Sequence, residues 1–231
     1  MILKLQGVSV AYTDKAKVID NLSFTLGESD NLALIGENGA GKTSLLLAIV
    51  GVLETVSGTI EAGGTRLNKK TLSEIRKKIG LVFQNPDDQL FMPLIYDDIA
   101  FGCRNLGLPE EQIKTRAEGT LFQLNISHLR DRSPLKLSGG EKRMAAIATV
   151  LAMNPNILMF DEPATFLDPK AKRALAEILK NLRHPKIIAT HDLAFAAQVC
   201  NRVIILKEGR IMADGALSLL NDEELMRKCG L

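Results

Sequence analysis

The hydrophobic pattern alternates between strand-like and helix-like stretches. Leu3 to Tyr12 partly alternates apolar and polar positions, Val18 to Leu26 is rich in apolar and β-branched residues, and Leu32 to Ile35 is a short continuous apolar run. All three read as strands. The third leads through Gly36-Glu37-Asn38-Gly39-Ala40-Gly41 into a Leu- and Ala-rich helix over Lys42 to Val50. Gly58 to Gly64 reads as part of a hairpin and Ile79 to Phe83 as another buried strand. From Asp97 to Leu124 the apolar spacing turns helical, with Pro109 suited to a helix first turn. Residues 90–150 therefore read as a helical subdomain inserted between two parts of a core, 1–89 and 151–231. Strand Ile157 to Phe160, helix Lys170 to Leu182, strand Ile187 to Thr190, helix Leu193 to Cys200 and strand Val203 to Leu206 follow. Asn221 to Leu231 reads as one short helix. Strands alternating with helices imply parallel pairing in a doubly wound α/β sheet.

Composition narrows the function classes. The 231 residues are 46% hydrophobic and 24% charged, ordinary globular values that exclude a disordered, collagen-like or coiled-coil chain. Lys plus Arg number 29 against 27 Asp plus Glu, and the resulting +2 gives no electrostatic reason to expect nucleic acid. Cys103, Cys200 and Cys229 are scattered without metal-ligand spacing and read as reduced thiols of a cytosolic protein. Met1-Ile-Leu-Lys-Leu lacks a basic region followed by an apolar core, which argues against secretion. The longest apolar stretch, Leu45 to Leu53, is far short of the roughly 20 residues a membrane span needs.

Three segments carry candidate chemistry. Gly36 to Thr43 fits G-x-x-x-x-G-K-[ST] in full, between a strand and a helix as the mechanism requires. Glycines let successive N–H groups converge on phosphate oxygens, with the helix N-terminus adding positive potential. Lys42 is placed for the β- and γ-phosphates and the Thr43 hydroxyl for Mg2+. Ile157-Leu158-Met159-Phe160-Asp161-Glu162 delivers two carboxylates at the end of a buried strand, where ligands of open α/β sheets bind. Beside a phosphate loop, Asp161 would hold Mg2+ and Glu162 would orient the attacking water. Alone, the pair would read equally as a solvated turn before Pro163. Leu137-Ser138-Gly139-Gly140-Glu141 makes an S-x-x-E capping box for an amphipathic helix over Lys142 to Met153. A cap needs neither glycine, and glycines there let a phosphate approach a second helix N-terminus.

Together these segments resemble the ATP-binding cassette (ABC) ATPases over nearly the whole chain. The matching residues are Gly36 to Thr43, Gln84, Leu137 to Glu141, Ile157 to Glu162, Phe166-Leu167-Asp168 and His191. The resemblance implies a P-loop NTPase fold, an ABC-type α/β core with an N-terminal antiparallel β subdomain and an inserted α-helical subdomain. It implies ATP and Mg2+ as cofactors, held by Gly36, Glu37, Asn38, Gly39, Ala40, Gly41, Lys42, Thr43 and Ser44, with Tyr12 stacked on adenine. It implies that Thr43, Gln84 and Asp161 serve the metal and that Glu162, His191, Gln84 and Lys42 serve catalysis. Ser138, Gly139, Gly140 and Glu141 would cover the ATP of a second subunit, and Asp168 would communicate across that dimer.

The run Gly80 to Phe91, with its second glutamine Gln89, and the segments Asp97 to Gly102 and Gly140 to Arg143 are similar to energy-coupling-factor importers and their cobalt and nickel relatives. That similarity implies a transmembrane coupling subunit and a substrate-specific membrane subunit as partners, and a peripheral place on the cytoplasmic face of the membrane. It leaves open cobalt, nickel or a vitamin as cargo, and a homodimer or a heterodimer with a related ATPase. A soluble ABC ATPase of DNA repair or translation, or a non-hydrolysing nucleotide switch, are the competing readings. Pro163-Ala164-Thr165-Phe166-Leu167-Asp168 departs from the family, which usually has Thr-Ser and a small residue before Leu-Asp.

Overall fold

The computed structural model describes residues 1–12 and 17–231. Two sheets carry the chain. β1 (Leu3–Ala11), β2 (Lys17–Leu26), β4 (Thr55–Ala62) and β5 (Thr65–Arg66) form an antiparallel sheet in the order β2-β1-β4-β5. β3 (Asn31–Ile35), β6 (Ile79–Val82), β7 (Ile157–Asp161), β8 (Lys186–Thr190), β9 (Arg202–Lys207) and β10 (Arg210–Ala216) form the second, in the order β10-β9-β3-β8-β7-β6. The five strands β9, β3, β8, β7 and β6 pair in parallel.

Continuous apolar runs suit these strands because both faces of the second sheet are covered. Ala33, Ile35, Leu158, Phe160 and Ile188 face one core, shared with α3 (Ile95–Asn105), α4 (Glu110–Gln123), α5 (Gly139–Leu151), α6 (Pro169–Asn181) and α7 (Leu193–Val199). Leu32, Leu34, Ile157, Met159 and Ile187 face the other, shared with the antiparallel sheet, α1 (Lys42–Ile49) and α2 (Leu72–Lys78). Sandwiched between the two sheets, α1 is buried nearly all round, which explains its lack of a polar face.

Three differences from the sequence reading have local causes. The helical spacing over Asp97 to Leu124 breaks into α3 and α4 at Gly107, whose φ of +74° no helix accommodates. Pro109 stands at the N-cap of α4 and not in its first turn. The doubly wound sheet is not wholly parallel, because β10 returns antiparallel on the edge beside β9. The hydrophobic pattern gives no sign of α2, while the tail forms one short helix, α8 (Glu223–Lys228), as expected.

The β9–β10 turn braces the loop that leaves β3. Gly209 N donates to the Ala40 carbonyl at 3.1 Å, and the Gly209 carbonyl accepts from Asp20 N at 3.0 Å. The turn thus ties that loop to the antiparallel sheet. Gly209 has φ of +75°, and a Cβ there would run into the Val18 carbonyl oxygen. Gly209→Ala should therefore cost about 2 kcal/mol of stability, read by denaturant unfolding.

Candidate functional site

Strand order decides which residues meet. β8 lies between β3 and β7, so the segments leaving the carboxyl ends of these neighbours converge. The loop Gly36–Gly41 leaves β3, Glu162 follows β7 and His191 follows β8. Loop backbone geometry requires its glycines: Gly39 and Gly41 have φ of +85° and +101°. A Cβ at Gly36 would collide with the Leu206 carbonyl oxygen.

Glu162 sits at the focus. Its side chain is buried, yet it gathers four partners. Thr190 Oγ1 donates to Oε2 at 3.1 Å and Thr165 Oγ1 at 3.4 Å. His191 Nδ1 lies 3.0 Å from Oε1 and Lys42 Nζ 3.5 Å from the same atom. Lys42, itself buried, also donates to the carbonyls of Gly36 at 2.6 Å and Glu37 at 3.1 Å. The ammonium is therefore held at the mouth of the loop, within reach of an anion seated on the loop amides. Ser44 Oγ is 3.1 Å from the hydroxyl of half-exposed Tyr12, which brings that ring to the edge of the same site.

Asp161 is different. It is buried, and its Oδ1 has no hydrogen-bond partner. Burial pushes its carboxyl above the usual carboxylate range, opposed by a hydrogen bond from Thr43. A desolvated carboxylate beside a hydroxyl is a hard-oxygen pair suited to Mg2+ completed by phosphate and water. Among the described residues no three His, Cys, Asp or Glu side chains cluster as a metal cage. The residues present fit a magnesium ion that shares its shell with a bound phosphate.

The second segment also takes the predicted form. Ser138 caps α5: its N–H donates to Glu141 Oε2 at 2.9 Å and its hydroxyl at 2.7 Å, holding that carboxyl below its ordinary range. A Cβ at Gly139 would meet nothing within 4 Å, so internal packing does not demand this glycine. Gly139 lines a cavity of ≈ 630 Å³, and the adjoining cavity of ≈ 410 Å³ over Gly39–Ser44 shares Thr43, Gln84, Thr165 and Phe166 with it. The two glycine motifs thus open on one side of the chain. Gln84 is exposed on the wall of both cavities. Asp168 accepts from Lys170 N and Ala171 N, each at 2.8 Å, and caps α6.

Two linking residues were not assigned a part by the sequence reading. Arg143, buried on α5, donates to the carbonyls of Phe83 at 2.8 Å and Gln84 at 2.6 Å. Its position on the buried face, one and two turns before Ile147 and Val150, is the signal, since a guanidinium placed there needs carbonyl partners. Gln89 does similar work: its amide donates to Ala146 O at 2.8 Å and its Oε1 accepts from Phe83 N at 3.1 Å. Both tie the Gln84 segment to the helix that begins at Ser138.

The sequence profile of the ABC transporter family matches residues 19–165. The chain belongs to that family. A putative ABC transporter ATP-binding protein of Geobacter sulfurreducens is 43% identical over 231 residues, spanning 100% of this chain and 93% of the relative. The energy-coupling factor transporter ATP-binding protein EcfA of Carboxydothermus hydrogenoformans is 40% identical over 234 residues, spanning 100% and 87%. The solved CbiO1 of Clostridium perfringens, part of the ABC transporter complex CbiONQ, superposes with a TM-score of 0.86 at 35% identity over 98% of this chain and 93% of that one. An ATP-binding cassette solved as a dimer in a post-hydrolysis state with ADP and Pi gives a TM-score of 0.83 at 25% identity, covering 94% and 99%. The fold is thus the P-loop NTPase fold of ABC ATPases, and membership of the ABC family implies ATP binding and hydrolysis.

Of the six described residues other than glycine that stand in the left-handed region, two border the site: Glu162 at φ +44° and Phe166 at +64°. Each costs about 1 kcal/mol or more. Asp161 bears a cost of another kind. Its folded pKa is raised, so its ionised form opposes folding, and that cost is relieved as pH falls through the raised value. Asp161→Asn should raise the melting temperature of the nucleotide-free protein at pH 7 by about 2–4 °C. Wild type should close the gap on acidification. The same variant should lose the Mg2+ dependence of nucleotide binding.

Proposed function

We propose that the protein is the ATP-hydrolysing motor of an importer of the energy-coupling-factor type, carrying cobalt or nickel ions. The observation that carries the reading is the gathering of Lys42, Thr190 and His191 on Glu162 at the ends of three neighbouring strands. Phosphoryl transfer needs positioning and electrostatics more than covalent chemistry. The amides of Gly36 to Thr43 bind the phosphates, Lys42 meets the β and γ groups, and Tyr12 takes the adenine. Glu162 accepts a hydrogen bond from the attacking water, and His191 steadies both that carboxylate and the γ-phosphate. Thr43, Asp161 and Gln84 would hold Mg2+, which neutralises charge on the phosphate oxygens when bound.

Two copies pair head to tail, so that Ser138, Gly139 and Gly140 of one cover the nucleotide of the other. ATP then contacts both subunits only in the closed pair, and binding favours closure. The exposed Gly139, which no internal contact requires, supports this reading. Residues 90–150 move as a unit on the core, 1–89 and 151–231, and Arg143 and Gln89 pass that movement to Gln84. A transmembrane coupling subunit and a substrate-specific membrane subunit receive it at the cytoplasmic face. Among the described residues no helix is long and apolar enough to cross a membrane. The similarity to EcfA and to CbiO1 supports the importer class.

Glu162→Gln should lower ATP turnover by about 10²-fold or more and accumulate an ATP-bound dimer in size-exclusion chromatography. Turnover equal to wild type would remove Glu162 from catalysis. Lys42→Ala should weaken ATP binding about tenfold or more, the loss of a charge-assisted contact. Co-purification with a multi-span membrane protein, with turnover in liposomes raised by Co2+ or Ni2+, tests the cargo.

A further inference from the structure

Lys172, in the first turn of α6, pairs its ammonium with Oδ2 of Asp192, the residue that follows His191. Asp192 is the N-cap of α7, and its Oδ1 does that work by accepting from Phe195 N at 2.9 Å. A cap needs one oxygen, so the bond from Oδ2 to Lys172 is surplus to the helix. The two side chains are 32% and 24% exposed, and solvent screens them less than an ordinary surface bridge. Burial alone would raise the Asp192 carboxyl, but the bonds from Lys172 and Phe195 N outweigh it and hold the group below the ordinary carboxylate range. Lys172 stands on a fixed support, because Leu175, Ala176 and Leu179 of α6 share one buried core with Phe195, Ala196 and Val199 of α7.

From Asp192 a continuous chain of hydrogen bonds reaches Glu162. Asp192 N donates to Thr190 Oγ1 at 3.1 Å, and Thr190 Oγ1 donates to Glu162 Oε2 at 3.1 Å. A hydroxyl has one proton to give. With the Asp192 N–H lodged on a lone pair, the Thr190 proton is left to point at the carboxylate. The residue between, His191, brings Nδ1 within 3.0 Å of the other oxygen of the same group. Residues 190–192 thus engage both oxygens of Glu162, and Lys172 fixes the far end of that segment.

We propose that Lys172 is a positioning residue for ATP hydrolysis: by holding Asp192 it sets the Thr190 hydroxyl and the His191 ring on Glu162, and so keeps that carboxylate aimed at the attacking water. The inference rests on the part given to Glu162 under the proposed function. Lys172 acts only through Glu162, so its loss loosens the carboxylate and leaves nucleotide affinity alone. A misplacement of about 1 Å at a reacting group is enough to cost up to about 10²-fold in rate.

The test measures phosphate release from ATP with Mg2+, per folded molecule. Lys172→Met keeps the aliphatic stem and removes the charge. Its kcat should fall about tenfold with KM for ATP unchanged, and its melting temperature should drop by no more than about 4 °C. Lys172→Arg should restore most of the rate. Asp192→Asn, whose amide oxygen still caps α7, should lose a similar factor, and Lys172→Met/Asp192→Asn should be no slower than either alone, because both break one link. In the Glu162→Gln background, Lys172→Met should change the residual rate by less than about twofold. If Glu162→Gln turns over like wild type, the part given to Glu162 fails and this inference with it. If Glu162→Gln is slow but Lys172→Met keeps the wild-type rate, or raises KM at unchanged kcat, only the positioning part of Lys172 is overturned. A further fall of about tenfold in the Glu162→Gln background would also overturn it, since Lys172 would then act apart from Glu162. A loss that disappears once the rate is taken per folded molecule would reduce the pair to a brace and overturn it too.

Discussion

A carboxylate carried into a protein interior has to be met by hydrogen bonds and positive charge, and Glu162 imposes that demand on three strands at once. The parallel order β3-β8-β7 answers it, because each strand releases its chain at the same edge. Lys42 comes from the first, Thr190 and His191 from the second and the carboxylate from the third. Moving any one strand would leave a buried charge unpaired. The geometry around Glu162 and the stability of this end of the sheet are in this sense one constraint.

Asp161 shows the opposite treatment one residue earlier. Its unpartnered oxygen is carried by the fold at a cost, next to a carboxylate whose needs are fully met. Adjacent acids thus stand in contrasting environments, one with an oxygen left open and the other with both oxygens engaged. The left-handed backbone at Glu162 contributes by turning the chain sharply enough for the two to face different partners.

Most of this was legible in the sequence because it is local. The phosphate loop, its flanking strand and helix, the buried Asp-Glu strand and the capping box at Ser138 each lie within a dozen residues, with spacing fixed by backbone geometry. What escaped was long-range or weakly patterned. β10 is a half-exposed edge strand whose pairing depends on β9 and whose turn reaches back to Ala40. α2 is seven residues with one buried side chain, Ile75, too little to show a helical period. Arg143 was visible as a charge on a buried helix face, but its carbonyl partners lie some sixty residues away.

That arginine has a wider consequence. It grips main-chain oxygens at Phe83 and Gln84, and so the linkage is blind to which side chains those positions carry. Sequence drift along this stretch can reshape the surface offered to neighbours while the mechanical joint beneath stays the same.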